Sequence, residues 1–159
     1  MAKARPIPGI GPETPMREVA ARTVEVRTEE VFAFADGVLD TGDIERVHDM
    51  RVATRRLRAA LEVFEVCFPK GEFKRALRDV KRLADTLGQR RDPDVALAAV
   101  DRVARGLTTA DHPGVESFRD ELRADQVAGN EELERLLAEV MESRLQLRLL
   151  ALAAEARIP

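Results

Sequence analysis

The stretch V-H-D-M-R-V-A-T-R-R-L-R-A-A-L-E-V-F, residues 47–64, decides how this chain reads. His48, Arg51, Arg55 and Arg58 follow one another at spacings of three, four and three. At about 100° per residue, an α-helix gathers those positions into one stripe roughly 80° wide. Met50, Leu57, Leu61, Phe64 and Phe68 fall on the neighbouring arc. The segment therefore reads as a helix with a core-facing side and, beside it, a row of donors with almost no acid. Surface helices usually intersperse signs so that i,i+4 pairs form. A row of one sign repels itself, and a polyanion is the compensating partner it best fits.

Outward from that helix, charge is unevenly spread. Residues 43–91 hold 13 Lys and Arg against 8 Asp and Glu, although the whole chain carries −3. A basic centre between acidic flanks suits a focused anion site rather than a general anion coat. The 159 residues are enough for one domain with a core.

The periodicity predicts helices throughout and no strand. A first helix runs from Pro15 to Leu39, capped by Thr14, with Val24, Val31, Ala35 and Val38 as its apolar stripe. Asp40-Thr41-Gly42 turns the chain and Asp43 caps the second helix, which runs to Phe68. The third, from Glu72 to Leu87, carries Lys74, Arg75, Arg78, Lys81 and Arg82 opposite an apolar face. Gly88 is expected to end it, and Asp92-Pro93 to start a fourth helix reaching Arg105. A last, long helix is expected from Pro113 to Ala156, with a break or kink at Gly129-Asn130. Its final turns are apolar nearly all round and must be buried, a second subunit being one candidate cover. Residues 1–14, rich in proline, read as a flexible tail, and 15–157 as a single domain. The fold class is thus all-α: an antiparallel bundle of about five helices with a long C-terminal helix.

Composition excludes several classes. Cys67 is the lone cysteine, set among apolar residues, and reads as a buried, inert thiol. No apolar run is long enough to span a membrane, and no signal-peptide pattern opens the chain, so a cytoplasmic location is the default. Trp and Tyr are absent, and the six Phe sit in apolar helical stretches like core residues. Stacking platforms for single-stranded nucleic acid are therefore not evident. No metal-ligand spacing occurs, and neither a metal nor a cofactor is expected.

Two motifs occur in order: H-D-M-R-V-A-T-R-R-L-R at 48–58, and L-G-Q-R-R-D-P-D-V at 87–95, preceded by V-K-R-L at 80–83. Together they resemble the conserved histidine α-helical domain, or CHAD, family. The resemblance implies a helical domain that binds inorganic polyphosphate in a basic channel, located at polyphosphate granules. It places the family's histidine on His48. The basic positions fall on Arg51, Arg55, Arg56 and Arg58, then on Lys81 or Arg82, and on Arg91. CHAD domains have two similar helical halves related by a pseudo-two-fold, and here only one half is present. A C2 homodimer is expected to rebuild the whole, with the apolar C-terminal helix as its patch. A monomer by light scattering would sink that expectation.

The chemistry of such a site needs many cations along a groove. Arginine's planar fork engages two phosphate oxygens at once, and lysine adds point charge. If the second and third helices pack antiparallel, Lys74, Arg78 and Lys81 can flank the same groove as the 48–58 stripe. His48 has three readings: a phosphate donor favouring mildly acid pH, a packing residue bonded to a carbonyl, or a metal ligand, for which it lacks a partner. Asp92 reads as a cap and Asp94 as a first-turn acid or an arginine orienter. Rival readings are charge-driven nucleic-acid binding and an assembly module docking acidic partners. Catalysis is not expected: no nucleophile–base pair faces the stripe, and the E-x-E-x-K strand of the catalytic domain found beside some CHAD domains is absent.

Overall fold

The computed structural model describes residues 3–158. Among them are five α-helices and no strand: α1 Met16–Ala33, α2 Ile44–Val63, α3 Lys70–Ala104, α4 His112–Glu142 and α5 Leu145–Ala156. Short 3-10 turns at Glu65–Cys67 and Thr109–Asp111 follow α2 and precede α4. The helices pack in chain order, α1 on α2, α2 on α3 and α3 on α4, and α5 closes the bundle against α1, α3 and α4.

The apolar stripes meet in one core. Val24 and Val31 of α1, Met50, Leu57 and Leu61 of α2, and Val80, Leu83 and Leu87 of α3 are all buried there. Leu133, Leu136 and Val140 of α4 and Leu149 and Leu152 of α5 complete it. Phe68 and Phe73 stack with centroids 5.9 Å apart, closing the core where α2 hands over to α3. Cys67 is buried beside them. Phe118 departs from the expected core role: it lies exposed on α4.

α2 ends at Val63 and not at Phe68, the chain passing through the 3-10 turn Glu65–Cys67 that brings Cys67 and Phe68 into the core. Three further departures from the sequence reading each have a packing reason. Firstly, α1 stops at Ala33, and Val38 reaches the core from the following turns. Thr14 does not cap α1; its hydroxyl accepts from the Gly11 amide at 2.9 Å. Asp43 stands at the start of α2 without capping it, its carboxylate held instead by Arg46 at 3.2 Å.

Secondly, the expected break at Gly88 and Asp92-Pro93 is absent. α3 runs unbroken for 35 residues with Pro93 inside it. A proline there removes one helical hydrogen bond and crowds the carbonyl one turn back, at a cost of about 3 kcal/mol. Tertiary contacts hold the helix through it. Pro93 is buried. Arg90, fully buried, donates to Asp94 at 2.8 Å and to Asn130 of α4 at 2.9 Å, spanning the proline. Gln126 donates to Asp94 at 2.6 Å.

Thirdly, Gly129-Asn130 does not break α4. Gly129 lets α4 approach α3, since a Cβ there would stand 3.2 Å from the Arg90 Cα. Asn130 donates to the Leu39 carbonyl at 3.0 Å, pinning the α1–α2 connection. The expected single C-terminal helix instead divides at Ser143-Arg144, where Arg144 adopts the left-handed conformation (φ 51°). That turn folds α5 back on α1 and spends its apolar side inside the chain. Arg157 then reaches Glu18 at 2.8 Å and Glu25 at 2.6 Å.

Residues 3–14 have no regular helix and run beside α1. Arg22 donates to the carbonyls of Pro8 at 3.2 Å and Gly9 at 2.6 Å, and Arg27 to that of Arg5 at 3.1 Å. Residues 1–2 of the expected tail lie outside the described residues.

Candidate anion-binding site

α2 and α3 run antiparallel, so the N-terminal end of one basic row meets the C-terminal end of the other. Glu45 of α2 lies 3.8 Å from Arg91 of α3, and Glu62 lies 3.3 Å from Lys81. Between these points Arg51 lies against Gly88, its Nε 4.0 Å from where a Cβ would stand. The predicted stripe therefore borders the α2–α3 seam. His48, Arg51 and Arg58 are half-buried in it and Arg55 is exposed.

Lys81 joins this seam to a second row. Lys74, Arg78, Lys81 and Arg82 line one cleft of about 580 Å³ on the outer face of α3, with Asp85 and Glu132 at its rim. Glu62 links Arg58 to Lys81, Lys81 belongs to the α3 row, and Arg91 lies at the seam's far end, while His48, Arg51 and Arg55 share a side of α2 with Arg58 by helical phase. Arg56 lies apart. Its position is turned about 140° from Arg51 on α2, on the other flank of the buried face.

The cations differ in how far they are already satisfied. Arg58 donates to Glu62 at 3.1 Å, and Lys81 shares the same carboxylate. The hydrogen bond from Arg58, then that from Lys81, outweighs desolvation and holds the Glu62 carboxyl below its ordinary value. Arg78 donates to Asp79 at 3.3 Å. Arg82 forks onto both oxygens of Glu139 on α4, one at 3.2 Å. That hydrogen bond and the accompanying charge raise the Arg82 pKa and lower that of Glu139. Arg91, largely buried, is held by Asp94 at 3.4 Å. Among the described residues Arg51, Arg55 and Lys74 have no ion-pair partner. They are the cations with the least to give up on meeting an anion.

One participant escaped the sequence reading. Glu62 lies four residues beyond Arg58, on the stripe itself, and the spacing signal for that pair was present. Asp94 takes the second of its two expected roles: it orients arginines, accepting from Arg90 and Arg91 as well as from Gln126, and is not a first-turn acid. Asp92 does not cap, since it lies mid-helix. No group of three or more His, Cys, Asp or Glu among the described residues is arranged to hold a metal. No described helix is long and apolar enough to cross a membrane.

The fold is an all-helical bundle with basic residues along the seam between two antiparallel helices. The CHAD domain profile matches residues 22–159, and the chain belongs to the CHAD domain family. The crystal structure of the CHAD domain from the plant Ricinus communis superimposes with a TM-score of 0.77 at 24% identity. The match covers 98% of this chain and 51% of that one, so the chain spans about half the length of that structure. Comparison with curated proteins gave no match.

Proposed function

We propose that this chain binds inorganic polyphosphate, without catalysis, along the surface formed by the α2–α3 seam and the α3 cleft. The observation that carries the reading is the junction at Lys81, which joins the Arg51–Arg55–Arg58 stripe to the Lys74–Arg78–Arg82 row. Membership of the CHAD family, which is associated with polyphosphate, supports it. Polyphosphate is a flexible chain of repeated charge with no bases to read, so it needs only cations spaced along a path. Arginine forks and lysine ammonium groups provide this, and counterion release makes the affinity salt-dependent. The protein's place in this reading is the cytoplasm, at polyphosphate granules.

A competition titration tests it. Fluorescent long-chain polyphosphate is bound, then displaced by unlabelled polyphosphate, DNA or RNA at matched charge and two salt concentrations. Protein is quantified without absorbance at 280 nm, since the chain has no Trp or Tyr. Polyphosphate should compete best. Removing Arg51, Arg55 and Arg58 together (each →Ala) should weaken binding on the order of a hundredfold, as three charge-assisted contacts are lost. Equal competition by all polyanions, or a triple variant that binds as well as the parent, would overturn the reading. The first result would favour nucleic acid or acidic protein partners bound through charge alone.

A further inference from the structure

From Val95 to Glu121 not one residue is buried, although the stretch covers the last ten residues of α3 and the first ten of α4. α3 and α4 bury no side chain over this stretch, in contrast to their inner halves. The hairpin is nevertheless not polar. Ala99, Val100, Val103, Leu107, Val115 and Phe118 line one groove of about 450 Å³, with Asp111 and Gly114 at its end. Val103 is 63% exposed and Phe118 49%. Two helices presenting apolar side chains to water form half of a packing unit, and such faces mark interaction sites.

We infer that this groove is the contact surface for a second copy of the chain, the two α3–α4 hairpins packing around a two-fold axis as a four-helix unit. Three observations select that partner. About half of the superimposed CHAD structure lies outside the match, so the larger form of the fold contains a second body beyond the part matched by these residues. An apolar face is self-complementary and can close a two-fold contact without matched charges. Finally, Arg119, the basic side chain beside the groove, is already engaged within the chain and is not free for a charged partner. Arg119 donates to Asp101 at 2.6 Å across the hairpin and also to Glu116. Those bonds raise the Arg119 pKa, Asp101 contributing most. The pairs tie the two helices of the hairpin together and leave the groove's contacts to its apolar side chains. α5, the expected patch, is not available for this role, since Leu145, Leu149 and Leu152 are buried in the chain's own core.

The contact is small. Ten residues of helix rise about 15 Å, and two helices side by side are about 20 Å wide, so the projected face is on the order of 300 Å² per copy. Counted over both copies that is about 600 Å², well below a standard specific interface, so a weak, transient dimer is expected. Sedimentation equilibrium without any polyanion, up to about 100 µM, should show a dimer that dissociates on dilution. The Val103→Glu, Phe118→Asp double variant should sediment as a monomer with unchanged helical circular dichroism. Val66→Glu, at an exposed apolar position outside the groove, should leave the dimer intact. A parent chain that stays monomeric at the highest concentration overturns the inference and leaves the groove to a different polypeptide. A double variant that still dimerises overturns it too. Neither result depends on polyphosphate, so this inference and the functional proposal fail separately.

Discussion

α3 and α4 are one pair of helices with two regimes. Residues 70–94 of α3 and 122–140 of α4 pack into the core, with Val80, Leu83, Leu87, Leu133 and Leu136 buried. Residues 95–121 of the same hairpin bury nothing. Both regions carry apolar residues at helical spacing, so the difference lies in what surrounds them. In the root α3 meets α2, and both helices meet α5, and exclusion of water there offsets the cost of holding even Pro93 in register. In the outer hairpin, intrinsic propensity and a few ion pairs are what remain, and helices gain most of their stability from packing rather than propensity.

The sharpest way to test that contrast is one substitution made at both ends. Leu87→Ala in the root should cost about 2–5 kcal/mol, as expected for a fully buried leucine. Leu107→Ala beyond it, 38% exposed, should cost under about 1 kcal/mol in the monomer. Urea unfolding followed by circular dichroism measures both, and equal costs would show that the outer hairpin is packed after all. Next in size is Gly129→Ala, at the point where α4 crosses α3. A Cβ 3.2 Å from the Arg90 backbone forces the helices apart, and a loss of about 1–3 kcal/mol is expected by the same measurement. A stable Gly129→Ala variant would mean that the buried Arg90–Asp94–Asn130 network does not need that approach.

The smallest effect concerns the seam. Glu62→Gln should tighten polyphosphate binding a few-fold, because Arg58 and Lys81 no longer have to leave a carboxylate. Hydrogen bonding from Arg58 holds the Glu62 pKa below the ordinary carboxylate value. Its favourable contribution is therefore present above that value and lost only as pH falls through the lowered one. Binding in the parent and the variant should converge in that acid window and differ at neutral pH. Titrations at several pH values check this. A variant that binds more weakly than the parent would mark Glu62 as a residue that orients the two cations rather than one that competes for them.

The sequence revealed the bundle and its cationic stripe because both depend on local periodicity. His48, Arg51, Arg55 and Arg58 share a side of α2 whatever packs nearby, and the buried leucines follow the same spacing. Continuation of α3 past Gly88 and Pro93 was not legible, since local rules say stop there. Arg90, Gln126 and Asn130, which hold it together, come from two helices and act only after these have met. The division of the last helix at Arg144 was hidden for a similar reason: nothing in a run of leucines shows which turn must fold back onto α1. Phe118 looked like core because an aromatic residue in a helical pattern usually is. Its exposure depends on the absence of a third helix, which composition does not record.

The uninterrupted course of α3 has a mechanical consequence. Lys81 and Val103 lie on the same helix, so the cationic seam and the apolar groove are separated by about 33 Å of rise and locked in rotational phase. No linker lies between them to absorb a change in length. Deleting one residue, such as the exposed Ala98, would shorten the span by about 1.5 Å and swing one surface about 100° around the axis relative to the other. Losing about seven residues, two full turns, would nearly restore the heading while drawing the surfaces some 10 Å closer. α3 therefore acts as a keyed shaft: its length can change in whole-turn steps, and other changes unseat one end from the other.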